Sequence, residues 1–193
     1  MRQPRYWGTG VLLVLLGSAV GLGQEREDPA AQREAMKKLE FLSGEWKGQS
    51  WIEFVPGQRS ASAGTETVET RLDGLLLTLE GIHRRKIGDR ETDEIVHSAF
   101  TVVSYDDKAK RYRFQAYTGR GNYTEAEAKV GDGQLQWTFR IPQLGEVRYT
   151  ISVDKGRWSE IGEMSPDGQQ WRKFFEMNLE RVKAGGKGST SDK

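Results

Sequence analysis

The chain has 193 residues, 36% hydrophobic and 30% charged, with 29 Lys+Arg against 28 Asp+Glu for a formal net charge of +1. That balance lacks the basic footprint of a dedicated nucleic-acid binder, and zero cysteines exclude disulfides, thiolate metal sites and cysteine nucleophiles. With 23 Gly, 6 Trp, 6 Tyr and 7 Phe beside 5 Pro, the composition is that of one domain of aromatic-rich strands joined by tight turns.

The chain opens with Arg2 and Arg5, an apolar run from Val11 to Val20, and Gly21-Leu22-Gly23 before the polar Gln24. This is the pattern of a secretory signal peptide over residues 1–23. The run is about half of the roughly 20 apolar residues that a membrane span needs, so no stable span is expected after cleavage. The expected location is therefore periplasmic or secreted. A single domain follows over residues 24–183, and the tail AGGKGSTSDK, residues 184–193, has no large apolar side chain and is expected to be disordered.

Asp28 and Pro29 suit the cap and first position of a helix, and Ala31, Ala35, Met36, Leu39 and Leu42 carry helical spacing to about Leu42. Beyond Gly44 the period changes to two. Trp46, Gly48, Ser50, Ile52 and Phe54 share one face, while Glu45, Lys47, Gln49 and Glu53 share the other, with Trp51 against the pattern. The same alternation recurs at Gly64 to Leu72, Leu75 to Lys86, His97 to Tyr105, Arg111 to Thr118, Asn122 to Val130, Gln134 to Ile141, Glu146 to Asp154, Arg157 to Met164 and Trp171 to Val182. Turn chemistry separates these runs, including Asp73-Gly74, Gly88-Asp89, Asp132-Gly133 and Pro166-Asp167-Gly168. The predicted fold is all-β: roughly ten antiparallel strands, up and down, behind one short N-terminal helix. Closure into a barrel removes the sheet edges and is favoured over a sandwich. At about ten strands the interior has room for a small ligand.

Chemistry-bearing motifs are few. There is no G-x-S-x-G, no H-E-x-x-H and no phosphate loop, and Gly119-Arg120-Gly121 lacks a strand-to-helix setting. His83 and His97 flank a predicted charged loop from Lys86 to Val96, where Asp93 or Glu94 with both imidazoles makes a conceivable divalent-metal set; the simpler reading is a solvated hairpin. Lys108 to Arg113 is basic around Tyr112, which a hairpin turn explains better than nucleic acid. The alternation directs Trp46, Tyr112, Phe114, Trp137, Phe139, Trp158 and Phe175 inward, first as core and then as the lining of any cavity. Glu160 falls on the same face; among aromatics its pKa would rise, fitting it to hold a polar group or act as an acid.

The segment Phe41-Leu42-Ser43-Gly44-Glu45-Trp46-Lys47-Gly48, then Ser104-Tyr105-Asp106-Asp107 with Lys110-Arg111-Tyr112, and Ser165-Pro166-Asp167-Gly168 leading to Leu179-Glu180-Arg181 resemble domain-of-unknown-function family 1579. That family is similar in architecture to the calycins: lipocalins, fatty-acid-binding proteins and nitrobindin. The resemblance implies a calycin-like barrel with Trp46 closing one end, and it implies no activity. Nitrobindin-like proteins hold haem through a histidine near the C-terminal end, whereas this chain has none after His97, so no haem or other cofactor is expected. The leading expectation is an exported, non-enzymatic barrel that binds a small lipophilic or amphipathic ligand. Two alternatives stand beside it. One is an envelope interaction module built on a filled barrel, with Trp51 and the charged hairpin as its contact surface. The other is a hydrolase or isomerase using Glu160 or the His83/His97 pair.

Overall fold

The computed structural model describes residues 29–142 and 144–182. The expected signal segment, the Asp28 cap and the tail lie outside the described residues.

Helix α1 (Ala30–Lys37) is followed by one 3₁₀ turn at Glu40–Leu42. The single helix expected to run to Leu42 divides at Leu39, whose backbone sits at φ −100° and ψ 0°. The break lets Met36, Leu39 and Leu42 all turn toward the strands, where each is buried. Ten strands follow: β1 (Gly44–Ile52), β2 (Ser60–Arg71), β3 (Leu76–Ile87), β4 (Arg90–Asp106), β5 (Arg111–Thr118), β6 (Tyr123–Gly131), β7 (Gln134–Ile141), β8 (Gly145–Asp154), β9 (Arg157–Ser165) and β10 (Arg172–Arg181). Each pairs antiparallel with the next, and β1 pairs with β10 to close the barrel. No edge is left open, which is how a meander escapes edge-to-edge association.

Two sequence expectations about the strands need correction. The loop placed at Lys86 to Val96 is strand, because β3 and β4 remain paired out to Ile87 and Arg90. A tight turn at Gly88-Asp89 with Gly88 at φ +60° allows it, and Arg85 grips Glu94 through two bonds of 2.6 and 2.8 Å. Phe54 is not an inner-face residue; it lies beyond β1, 64% exposed, and stacks on Phe174 with ring centroids 5.6 Å apart. Trp51 does stand on the outer face, and it is held there by cations: the Arg59 guanidinium lies 3.9 Å and the Lys173 ammonium 5.6 Å from its ring centroid.

One end of the barrel is sealed by the helix and its 3₁₀ turn. Leu39 and Leu42 meet Trp46, Trp158, Leu135, Val103 and Leu179 there, all at most 1% exposed. Trp46 donates its indole N–H to the Leu42 carbonyl at 2.8 Å and meets Trp158 edge-on at 5.4 Å. The Arg181 guanidinium covers its ring at 4.1 Å and also donates to the Phe41 and Ser43 carbonyls. Tyr112 donates its hydroxyl to the Ala35 carbonyl at 2.7 Å, pinning the helix from the far wall. Trp46→Phe keeps most of the buried area but leaves the Leu42 carbonyl without its donor, which predicts a loss of about 1–2 kcal/mol in urea unfolding.

Candidate functional site

The pairing register fixes the inner face of each strand, and along that face the two ends of the barrel differ. At the helix end Trp46, Val103, Leu135, Trp158 and Leu179 are closed off beneath the helix, while Tyr105, Tyr112, Val130 and Val153 stand half-buried around them. At the other end Ala99, Ala116, Thr124, Phe139, Tyr149 and Phe175 face inward yet are only half-buried. Solvent therefore reaches into the barrel from the side opposite the helix. Small residues on β4 to β6, namely Ala99, Thr101, Ala116 and Ala126, line this end where bulkier side chains would fill it.

Two unlike walls meet below the opening. On β5, β7 and β8 the rings stack along the wall: Phe114 on Trp137 at 4.2 Å across the intervening β6, Trp137 on Tyr149 at 5.2 Å, and Phe139 beyond Tyr149 at 6.4 Å, with interplanar angles of 15°, 12° and 7°. Phe175 meets Tyr149 edge-on at 5.7 Å. Phe174, which sequence alternation points outward, is also buried, because the ladder between β9 and β10 slips at Lys173/Phe175 and turns it in.

The wall on β1 to β3 is polar. Ser50 and Ser62 share a hydrogen bond of 2.7 Å, Ser50 Oγ lies 3.2 Å from His83 Nδ1, and His83 Nε2 lies 3.3 Å from Glu66 Oε1. His83 is 5% exposed and seated over Gly64, where an added Cβ would stand only 2.7–2.8 Å from the ring. Gly81 makes the same room for the Glu66 carboxylate. Sequence reading brought His83 and His97 together, and they are a register pair with ring centroids 5.6 Å apart. They are not a solvated pair, since only His97 is open to solvent. Its pKa is held below the ordinary imidazole value by desolvation, then by His83 and Arg120. Asp93 and Glu94 take no part, Glu94 being bound by Arg85. Among the described residues no group of three or more His, Asp or Glu side chains could hold a metal ion.

Glu160 points into the barrel and is 8% exposed. It accepts a hydrogen bond from the Trp158 indole N–H at 3.3 Å. Desolvation, followed by the charge of Glu66, raises its pKa to about 8, with the Trp158 bond pulling weakly the other way. The Tyr149 phenol is raised as well, by its own burial and then by Glu160.

The structure thus distributes the eight expected lining residues along the axis. Trp46, Tyr112 and Trp158 belong to the sealed end, while Phe114, Trp137, Glu160, Phe139 and Phe175 run from mid-barrel to the opening. Sequence reading missed Ser50, Ser62, Glu66 and Tyr149 as site residues. Ser50 shares the Trp46 face by period two, but small polar residues carry no signal of burial until their partners on other strands are known. Separately, an open groove of about 950 Å³ runs along the outer faces of β1, β10, β9 and β8, past Lys47, Trp51, Asn178 and Arg157. Ser50 of the polar wall is also among the residues that line it.

No family model matches this chain, and no curated protein does. The resemblance to family 1579 therefore remains one of short motifs. Among the solved structures that match is the crystal structure of Rv2717c from M. tuberculosis, with a TM-score of 0.56 and 13% identity over 77% of this chain and 98% of that one. At that identity the likeness is one of fold, and it places this chain among proteins built as antiparallel barrels of this kind.

Proposed function

We propose that the protein is an exported, calycin-like, non-enzymatic barrel that takes a small amphipathic ligand through the end opposite the helix. The observation that carries this reading is the asymmetry of the interior: one end covered by the helix and its apolar packing, the other left uncovered between a stack of rings and a polar wall. Such a concave, mostly apolar site with a few convergent polar groups is what small-molecule recognition requires. The apolar part of the ligand lies against Phe114, Trp137, Phe139, Tyr149 and Phe175, and its polar part meets the side of His83, Ser50 and Glu160. Native mass spectrometry of the protein from its producing cells is expected to show a mass excess that disappears on denaturation. Trp137→Ala with Phe139→Ala, in a protein that stays folded, should reduce that excess several-fold; unchanged retention contradicts the reading.

A second reading rests on the chain Ser50–His83–Glu66, which has the order of hydroxyl, imidazole and carboxylate used for nucleophilic catalysis. In an acyl transfer His83 would take the Ser50 proton as Oγ attacks an ester carbonyl, then return it to the leaving alcohol. Covalent labelling by a fluorophosphonate that is lost in both Ser50→Ala and His83→Ala would favour this over binding alone.

A further inference from the structure

We propose that the ligand is an amphipathic amine, its ammonium group held by Glu160 and its apolar part laid along Tyr149 and Trp137 toward the opening. This rests on the binding reading above and narrows it to a chemical class.

Charge is out of balance inside the barrel. Two carboxylates, Glu66 and Glu160, point into it, and among the described residues no lysine or arginine is buried. Glu66 has a partner in His83. Glu160 has the single long bond from the Trp158 N–H. The groups that face it leave it without a cation. On its own strand β9 there is Trp158. From β2 comes Glu66, a like charge, and from β3 His83, committed to Glu66 and Ser50. From β4 comes His97, toward the opening, and from β8 Tyr149, with Ile151 directly opposite Glu160. From β10 comes Met177, its register partner, and from β1 Ser50, opposite Met177.

A buried carboxyl so placed keeps its proton while the site is empty, in line with a pKa of about 8. An ammonium supplies what the site lacks, a positive charge and several N–H donors, and its arrival expels that proton. A carboxylate ligand would meet two acidic groups, and an alcohol would gain only a neutral hydrogen bond. Position supports the same assignment. Glu160 pairs with Ile151, and the next inward pair along the ladder joins Gly162 to Tyr149, the ring on which both Phe139 and Trp137 stack. A head group at Glu160 therefore has its tail led along the rings to the solvent-reached end.

Three probes with the same decyl tail test this on the folded full-length protein by calorimetry: decylamine, decanol and decanoate. The expected order is decylamine tighter than decanol by about tenfold or more, with decanoate weakest. Decylamine binding at pH 7 should release close to one proton, read from its dependence on buffer ionisation enthalpy, and its affinity should climb from pH 6 to pH 8 before levelling. Glu160→Gln should remove both the proton release and the amine advantage. Because the three probes are compared on the unaltered protein, the result does not depend on that variant folding. Equal binding of decylamine and decanol overturns the amine assignment while leaving the ligand-binding barrel in place, as does tighter binding of decanoate. Failure of all three to bind overturns both.

Discussion

Between about pH 5 and pH 9 the empty barrel is expected to lose stability, and Glu160→Gln is expected to abolish most of that loss. In the unfolded chain this carboxyl ionises near the ordinary glutamate value of about 4.3, whereas in the barrel its pKa is raised to about 8. Across that interval the folded protein holds a proton that the unfolded chain has released, so stability falls as pH rises and becomes level above the folded value. The span sets an upper limit on the order of 5 kcal/mol. Other groups shape the rest of the curve. Asp106 and Asp167 have lowered pKa values, chiefly from backbone N–H bonds, so their contribution is present above the ordinary carboxylate range and fades in acid. His97, lowered by desolvation first, acts against Glu160 just below pH 6.5, where folding gains as pH rises. Urea unfolding at pH 5, 7 and 9 decides the matter: the wild-type midpoint should drop where that of Glu160→Gln stays nearly level. Parallel curves would show that the Glu160 carboxyl is solvated after all.

Gly48→Ala is expected to cost about 3 kcal/mol or more. Gly48 sits where β1 meets both of its neighbours, opposite Gly64 on β2 and Leu179 on β10. A Cβ there would stand 2.8 Å from the Leu179 Cα and 3.0 Å from the Asn178 carbonyl carbon, and backbone cannot swing aside as a flexible side chain does. The methyl would push apart the one pairing that turns a ten-strand meander into a barrel. Unfolding by guanidinium should shift strongly, with amide exchange accelerating first in β1 and β10. At Gly64 the same substitution meets the His83 ring instead, so the damage there should fall on the Ser50–His83–Glu66 chain more than on closure.

The barrel was legible in the sequence because its signals are local. Alternation runs from Trp46 to Ile52 and again through Trp137 and Phe139, and turn residues such as Gly88 and Gly133 take the positive φ that sequence reasoning assigns them. Errors arose where a distant contact overrides the local pattern. Arg85 and Glu94 carry strand through a stretch that reads as a solvated loop, and a slip in the β9–β10 ladder buries Phe174 beside Phe175. Trp51 broke the alternation because its partners, Arg59 and Lys173, come from elsewhere in the chain. The site was legible by half. Its rings other than Tyr149, and Glu160, follow from period two, but the polar wall did not, since Ser50, Ser62, Glu66 and His83 come from three strands and become a network only when the register aligns them.

The central claim is that ligands occupy the interior through the open end, and alanine methyl NMR tests it directly because alanines mark both faces of the wall. Ala99, Ala116 and Ala126 face inward, while Ala61 lies beside Trp51 on the outer groove. On titration with decanol or decylamine, the account predicts saturable shifts of the three inner methyls with Ala61 unmoved. Shifts confined to Ala61, with the inner methyls silent, would place binding on the outer surface and contradict it.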